Sequence, residues 1–244
     1  MKKSIIWIIT ILIVGVIIVG SVFLLLSTQK EEPIVEEKHS KFYIPGVSVE
    51  DVILYFNEVA FGAEVINSGD PYRLQKWNDP IYYFIKGDYT EEDSATLLKF
   101  NNWLNNIEGF PGIYETKDVT KTNLNIYFCD QETMLAIMGN EFYGMDGTVN
   151  FWYTNDIIET AVICYRTDLE QYVRNSVIIE EIYNGLGLIQ DTSLRKDSII
   201  YSEFSTPQEL TKIDELLLKL LYAKELKNGM NANECEEVIR QLYY

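Results

Sequence analysis

The longest apolar run of the chain covers residues 5–26 and contains no charged side chain. At about 1.5 Å per residue, a helix of this length would be about 33 Å long, which is enough to cross the hydrocarbon core of a bilayer. Lys2 and Lys3 precede the run, so the positive-inside rule predicts that residues 1–4 form a cytoplasmic tail. The run is longer than the apolar core of a cleaved signal peptide, and no small-residue cleavage site follows it. The pattern therefore predicts an uncleaved transmembrane signal anchor at the cell membrane, with the rest of the chain outside the cytoplasm.

The chain changes character after the anchor. Residues 27–41 mix acidic and basic side chains and have little apolar surface to bury, which predicts a charged tether. Residues 42–244 have the apolar periodicities of both helices and strands, without an internal repeat or a second domain boundary. We expect them to form one α+β domain on the extracytoplasmic side.

Helix and strand signals alternate along residues 42–244. The side chains that suit helix N-caps are Ser48, Thr90, Asp168, Thr211 and Asn231. The helix after Asp168 is predicted to continue to about Asn184. Strand patterns cover residues 80–85, 123–128, 149–153 and 160–165. The last two strands are predicted to be joined across Asn155 and Asp156.

Composition excludes several functional classes. The chain has 37 acidic and 20 basic residues, a net charge of −17, so it repels phosphate and we expect no nucleic-acid partner. Its only histidine is His39, in the tether, so one chain cannot build a site from several histidines. The cysteines, Cys129, Cys164 and Cys235, are odd in number and widely spaced, which does not indicate a disulfide framework. Cys129 and Cys164 lie in strand patterns and are predicted to be buried thiols, with a bridge between them as the alternative.

Residues 180–191 have the spacing of a known catalytic motif, the metzincin signature H-E-x-x-H-x-x-G-x-x-H. In that motif, two histidines one helical turn apart and a third after a glycine turn bind zinc. The three histidine positions are occupied here by Glu180, Asn184 and Gln190. The general-base position is Glu181, and the turn position is Gly187.

This set of side chains predicts neither zinc nor another cofactor, because zinc in proteins is held mainly by histidine and cysteine. A cation bound only by oxygen atoms is the alternative, with Glu181 and Asp191 adding ligands. The helical pattern places Glu180, Glu181 and Asn184 opposite an apolar face. A zincin has the same division, because the polar side of its helix forms the floor of the substrate cleft. An ordinary amphipathic helix with two solvated glutamates predicts the same pattern.

The flanking segments follow the order of a zincin. The strand at residues 160–165 precedes the helix, where zincins place the strand that edges the substrate cleft. Residues 197–202 resemble the segment around the methionine turn under the metzincin metal, with Ile200 where methionine is expected and Tyr201 after it. Residues 210–222 look like the helix that follows this turn.

A closer resemblance is to the bacterial family known as domain of unknown function 2927. The residues that carry it are Glu180-Glu181, residues 186–188, Asp191, Ser198-Ile199, Leu210-Thr211, Asp214, residues 220–222 and residues 226–230. The resemblance implies a zincin-like fold, with a mixed twisted sheet and a long former active-site helix. It also implies a secreted or membrane-attached protein, because family members are described as lipoproteins. This chain departs from them by its transmembrane anchor.

Together these patterns predict a membrane-anchored, zincin-like domain without protease activity that binds an extracellular peptide or a cell-surface partner. The strand around residues 161–165 is predicted to form a sheet edge that takes up an extended chain by β-augmentation. One alternative is an active hydrolase with Glu181 as general base and an oxygen-ligated metal. Another is a cell-wall or glycan-binding module, suggested by the abundance of tyrosine and tryptophan.

Overall fold

The computed structural model describes residues 40–62, 72–203 and 206–244. The predicted cytoplasmic tail, the predicted anchor at residues 5–26 and most of the predicted tether, including His39, lie outside these ranges. No helix within the described ranges is both long enough and apolar enough to span a membrane.

The described residues form an α+β domain, as predicted. Its helices are α1 (Val49–Phe61), α2 (Glu91–Leu104), α3 (Gln131–Met138), α4 (Gln171–Gly185), α5 (Lys212–Leu221) and α6 (Ala232–Tyr243), with a short 3₁₀ helix at Asn140–Phe142. Its strands are β1 (Lys76–Trp77), β2 (Ile81–Gly87), β3 (Ile113–Glu115), β4 (Leu124–Cys129), β5 (Gly147–Thr154) and β6 (Ile157–Arg166).

The strands form one mixed sheet in which most pairs are parallel. The order across it is β3-β2-β4-β6, with β5 on the outer side of β6. Strand β5 pairs with β6 antiparallel along nearly its whole length, so β1 and β4 share the other side of β6. Within the described ranges, β5 is therefore an edge strand, and β3 forms the opposite edge. The prediction that residues 161–165 form the edge is wrong, because β4 and β5 enclose that stretch of β6.

The turn between β5 and β6 follows the prediction from sequence. Asn155 and Asp156 both have a positive φ, of 52° and 63°. Two left-handed residues make the type of tight turn that matches the twist of an antiparallel hairpin. The pairing of Thr154 with Ile157 closes this turn.

The side chains of Ser48, Thr90, Thr211 and Asn231 accept a hydrogen bond at the start of α1, α2, α5 and α6, as predicted. The predicted cap of α4 is wrong. That helix begins at Gln171, and its N-cap residue, Glu170, makes no side-chain hydrogen bond there. The carboxylate of Asp168 instead accepts two hydrogen bonds from Arg166, at 2.9 and 2.6 Å.

Helix α4 is fixed by hydrogen bonds from side chains of its neighbours to its backbone. The hydroxyl of Tyr165 on β6 donates to the Ile178 carbonyl at 3.1 Å. The indole N–H of Trp77 on β1 donates to the Gly185 carbonyl at 2.9 Å. Both donors are buried, so leaving either bond unmade would cost free energy. The helix that carries the metzincin-like spacing is thus held at both ends of its C-terminal half.

Candidate functional site

The sides of α4 face different parts of the domain. Ile182 and Gly185 line a small cavity at the inner face of the sheet. Glu181 faces the start of β5, and Glu180, the residue before it, is displaced from it by about 100° around the helix. The polar side of α4 therefore lies beside the edge strand.

Glu181 is buried against the backbone of β5. A Cβ atom added to Gly147 would lie 2.9 Å from Glu181 Cγ and 3.0 Å from its Oε1 atom. Glu181 is only 8% exposed. Burial raises the pKa of Glu181 well above its usual range, and the nearby charges of Glu180 and Asp191 raise it further. The expectation of two solvated glutamates is wrong for Glu181, because the edge strand covers it.

Glu180 belongs to the same group of carboxylates. Burial raises the pKa of Glu180 to about 8, with further contributions from the charges of Asp191 and Asp146. Asp146 directly precedes β5, and Asp191 follows the turn at the end of α4. We refer to Glu180, Glu181, Asp146 and Asp191 as the acidic cluster. Carboxylates with strongly shifted pKa values occur often at functional sites.

Asn184, one helical turn after Glu180, adds an amide to the acidic cluster. Its Nδ2 atom donates to Asp191 Oδ1 at 3.4 Å. Its Oδ1 atom is buried and accepts no hydrogen bond from any described residue. Because Asn184 is only 8% exposed, its Oδ1 atom is a buried acceptor that is shielded from bulk solvent.

Gln190, at the third histidine position, contacts a different element. Its backbone N–H donates to the Val59 carbonyl of α1 at 3.0 Å. Its Cγ atom would lie 3.5 Å from a Cβ added to Gly62, at the end of the same helix. The contacts that define the acidic cluster thus bring together Glu180, Glu181, Asn184 and Asp191, whereas those of Gln190 are with α1.

Gly187 makes the turn that the motif requires. Its φ is +119°, and an added Cβ would lie 2.1 Å from the Gln75 carbonyl oxygen. A side chain at this position would therefore collide with the backbone before β1. This close approach is a physical reason for glycine at the turn.

The segment around Ile200 lies directly beside the residues that follow the cluster. The Thr192 N–H donates to the Ile200 carbonyl at 2.8 Å, and the Ser202 N–H donates to the Thr192 carbonyl at 3.0 Å. These bonds form a parallel bridge between Thr192 and Tyr201. Ile200 is buried in the main hydrophobic core.

The family model described as Protein of unknown function (DUF2927) matches residues 50–241. The chain belongs to this family. The DUF2927 match extends from the first turn of α1 into α6, so it includes the sheet and the acidic cluster. No curated protein matches the chain.

Several residues that carried the DUF2927 resemblance meet in one buried network. The carboxylate of Asp214 accepts hydrogen bonds from Arg195 Nη1 at 2.9 Å and from Ser198 Oγ at 2.7 Å. The same carboxylate accepts from the N–H of Thr211, the N-cap of α5, at 2.9 Å. The network therefore ties the segment after the cluster to the start of α5. The sequence indicated Asp214 as part of a helix cap and of the family resemblance, but not its bonds to Arg195 and Ser198.

The donor set of this DUF2927 domain does not suit zinc. In the described parts of the chain, no group of three or more histidine, cysteine, aspartate or glutamate side chains is arranged to hold a metal ion. The acidic cluster offers carboxylates and one amide, and zinc prefers imidazole and thiolate. The sequence analysis also missed Asp146 and Gly147, because the strand pattern that it identified begins only at Val149.

Proposed function

We propose that this DUF2927 protein is a zincin-like domain, anchored in the cell membrane through residues 5–26, that binds an extended extracytoplasmic peptide without cleaving it. The observation that carries the proposal is the position of the polar face of α4 beside the edge strand β5. In a zincin, the helix with the metzincin spacing and the edge strand enclose the substrate cleft. The histidines that such a cleft needs are replaced here by Glu180, Asn184 and Gln190.

The free edge of β5 suits a peptide because it lacks the features that protect exposed strands. Gly147–Thr154 is eight residues long and contains no charge. By contrast, the opposite edge of the sheet, β3, has three residues and includes Glu115. Natural proteins protect edge strands by shortening or charging them. Trp152 and Tyr153 are 56% and 50% exposed and offer apolar contacts.

The hydrogen bonds of β5 leave alternate N–H groups directed outward. The Arg166 N–H donates to the Asp146 carbonyl at 3.1 Å, which fixes the phase of the antiparallel ladder. By alternation, the N–H groups of Gly147, Val149 and Phe151 point away from β6. Outward groups at every second residue are what an added strand pairs with.

The state of Glu181 favours binding over hydrolysis. A general base must be ionised and must reach a water molecule or the substrate. Glu181 is buried against Gly147, and this burial raises its pKa well above the usual range, which disfavours the ionised form. Both effects oppose a role as general base.

A proline at a position whose N–H group points away from β6 tests whether the peptide binds as an added strand. The full-length chain in detergent is mixed with a pool of capped octapeptides of random sequence, and retained peptides are quantified. Val149→Pro removes one outward N–H without removing a bond to β6, and we expect it to weaken retention at least tenfold. The control Val149→Ala keeps the N–H group and should stay within threefold of the unmodified protein. If the unmodified protein retains no peptides, the proposed function is wrong.

Restoring the missing imidazoles tests the zincin-like frame independently. The triple variant Glu180→His, Asn184→His and Gln190→His should bind one zinc ion per chain, measured by metal analysis after dialysis. A double variant without the change at Gln190 should bind zinc more weakly. Equal zinc content in the two variants would show that the third position does not reach the other two.

Metal-free hydrolysis is a second candidate, favoured by one observation. Glu180 is half-buried, with a pKa raised to about 8 by burial and by the charge of Asp191. Carboxylates that repel one another in this way act as acid and base in some hydrolases. Peptide cleavage that persists in a metal chelator and disappears in Glu181→Gln would favour this function. Intact peptides after long incubation would exclude it.

The glycan-binding alternative has its own candidate surface. A groove of 410 Å³ between α2 and α4 is lined by Phe100 and Trp103, together with polar residues such as Asn175. The two aromatic rings stack on each other with centroids 5.9 Å apart. Retention on purified cell wall that is lost in Trp103→Ala would support this alternative.

A further inference from the structure

Two cysteines lie side by side on the face of the sheet that is turned away from the main core. Side chains alternate along β4, so Ile126 and Phe128 point into the main core and Cys129 points to the opposite face. Cys164 on β6 pairs with Tyr127, two residues before Cys129, so both cysteines are on this face of neighbouring strands. The two thiols interact directly, because a hydrogen bond joins Cys164 to Cys129.

Helix α3 covers this pair of thiols with two methionines. Met134 and Met138 are one helical turn apart and form the buried side of the helix. Met134 is fully buried, and Met138 is 8% exposed. Gln131 Nε2 donates to Met134 Sδ at 3.8 Å, so this sulfur atom is directed toward the first turn of α3, which follows Cys129 in the chain. Both methionines pack in one cluster with Cys164.

This second cluster is much richer in sulfur than the main core. Its three buried members are Met134, Met138 and Cys164, and Cys129 packs against them. We refer to these four residues as the sulfur cluster. Among the described residues, the buried part of the main core has only one member with a sulfur atom, Cys235. The main core is filled with leucine, isoleucine and aromatic side chains instead, so packing alone does not require this concentration of sulfur.

The four sulfur atoms define the kind of metal ion that they could hold. Thiolates and thioethers are soft ligands, and together they select Cu(I). Zinc is bound by thiolate, imidazole and carboxylate groups, so the thioethers could not complete a zinc site around two cysteines. A monovalent ion also needs only one thiolate to balance its charge. The occupied site would then be neutral, which suits a buried apolar cluster.

We propose that the sulfur cluster is a binding site for the soft monovalent ion Cu(I), with Cys129 as the thiolate ligand and the other three sulfur atoms as neutral ligands. The ion enters beside Cys129, the partly exposed member. The S–H bond of Cys129 breaks, a Cu–S bond forms and the proton goes to water, so no electron is transferred. This inference goes beyond peptide binding and does not rest on it, because none of the residues that carry the proposed function belongs to the sulfur cluster.

A competition experiment tests the site. Full-length protein in detergent, reduced and kept free of oxygen, is titrated with Cu(I) in the presence of a chromophoric Cu(I) chelator. We expect one ion per chain, with sulfur as the only kind of first-shell neighbour in X-ray absorption at the copper edge. An equal concentration of zinc should not displace the copper. Ag(I), which has the same charge and the same preference for sulfur, should raise the melting temperature, because an ion that binds only the folded state stabilises it.

Matched variants assign the ion to the sulfur cluster. Met134→Leu, Met138→Leu and Cys164→Ser should each weaken Cu(I) binding at least tenfold. Leucine keeps the volume and apolar character of methionine, so the first two changes remove a ligand without opening a cavity. Met230→Leu and Cys235→Ser make the same changes outside the cluster and should leave the affinity within twofold of the unmodified protein.

Three results would overturn the assignment. If the unmodified protein takes no Cu(I) from the chelator, the cluster is only a packed core. If the control variants lose as much affinity as the cluster variants, the ion is held elsewhere. If the leucine variants keep the full affinity while Cys164→Ser loses it, the thioethers are not ligands. Circular dichroism of each metal-free variant checks its fold, and Cys129→Ser, at the partly exposed position, replaces Cys164→Ser if that variant does not fold.

Discussion

The side chain of Glu181 lies against the backbone of Gly147, where α4 crosses the start of β5. An added Cβ at Gly147 would also lie 2.4 Å from Val177 Cγ1, so the helix approaches the strand too closely for any side chain. This contact helps to bury the carboxyl group of Glu181. Because Gly147 has no side chain, Glu181 can be buried against its backbone, and this burial raises the pKa of Glu181.

Gly147→Ala should destabilise the domain by about 1–3 kcal/mol, because overpacking forces the helix or the strand to move. The free energy of unfolding can be measured by denaturant titration. Gly185→Ala is a suitable control in the same interface, since its Cβ would meet Val149 Cγ2 at 3.2 Å, a side chain that can adjust. Combining Gly147→Ala with Val177→Ala should recover part of the loss. If the changes in the free energy of unfolding of the two single variants simply add in the double variant, this explanation is wrong.

The acidic cluster predicts that stability falls as the pH rises from about 4.5 to about 8. The folded state holds protons on Glu180 and Glu181 that the unfolded chain releases near its ordinary pKa, so the folded state binds more protons in this range. Each such proton contributes a slope of up to about 1.4 kcal/mol per pH unit. The melting temperature should therefore be higher at pH 5.5 than at pH 8.5.

The double variant Glu180→Gln and Glu181→Gln should flatten this pH dependence. Carboxylates with a lowered pKa, such as Asp168 beside Arg166, lose their contribution only below about pH 4 and do not interfere. A melting temperature that rises with pH, or a slope unchanged in the double variant, would show that the cluster is not protonated.

Asp214→Ala should cost about 3–5 kcal/mol, because it removes the buried carboxylate of Arg195 and leaves its guanidinium only the exposed Asp197 at 3.5 Å. Glu215→Ala, at the next position of α5, removes the partner of the half-exposed Lys219 and should cost at most about 1 kcal/mol. Denaturant titration of the two variants compares a buried and an exposed ion pair on one helix. If the two variants lose similar free energies of unfolding, the ion pair between Asp214 and Arg195 is not buried as described.

Only Cys129 should react with iodoacetamide in the folded protein. All three thiols are free, but Cys164 and Cys235 are buried, whereas Cys129 is partly exposed. A hydrogen bond from Cys164 lowers the pKa of Cys129, and burial raises that of Cys235 to about 12. Mass spectrometry of digested peptides should find one labelled cysteine before unfolding and three after it. Early labelling of Cys164 would be inconsistent with its position between the strands and α3.

Local chemistry made the element boundaries predictable. The caps of α1, α2, α5 and α6 and the turn at Asn155-Asp156 depend on residues within four positions of one another. Asp168 failed as a cap because Arg166, two residues earlier, competes for its carboxylate. The short strands β1 and β3 were missed, since two or three residues give too little periodicity to detect.

Long-range pairing explains the remaining errors. The sequence gives no local indication that β4 pairs with β6 and leaves β5 as the edge, because these strands meet only in the folded sheet. The burial of Glu181 depends on Gly147, which is 34 positions earlier in the chain. The spacing of residues 180–191 placed Glu180, Glu181 and Asn184 on one helix, but only the packing shows that Glu181 is buried against the start of β5.

An uncharged strand edge is also a surface on which two copies of the protein could stack as amyloid-like ribbons. The domain that carries this edge has a strongly negative chain, with a net charge of −17, so neighbouring molecules repel each other before their edges meet. This electrostatic repulsion between molecules acts over about one Debye length, which falls from about 10 Å at 0.1 M salt to about 3 Å at 1 M. The open edge of β5 thus makes the solubility of the protein a function of ionic strength.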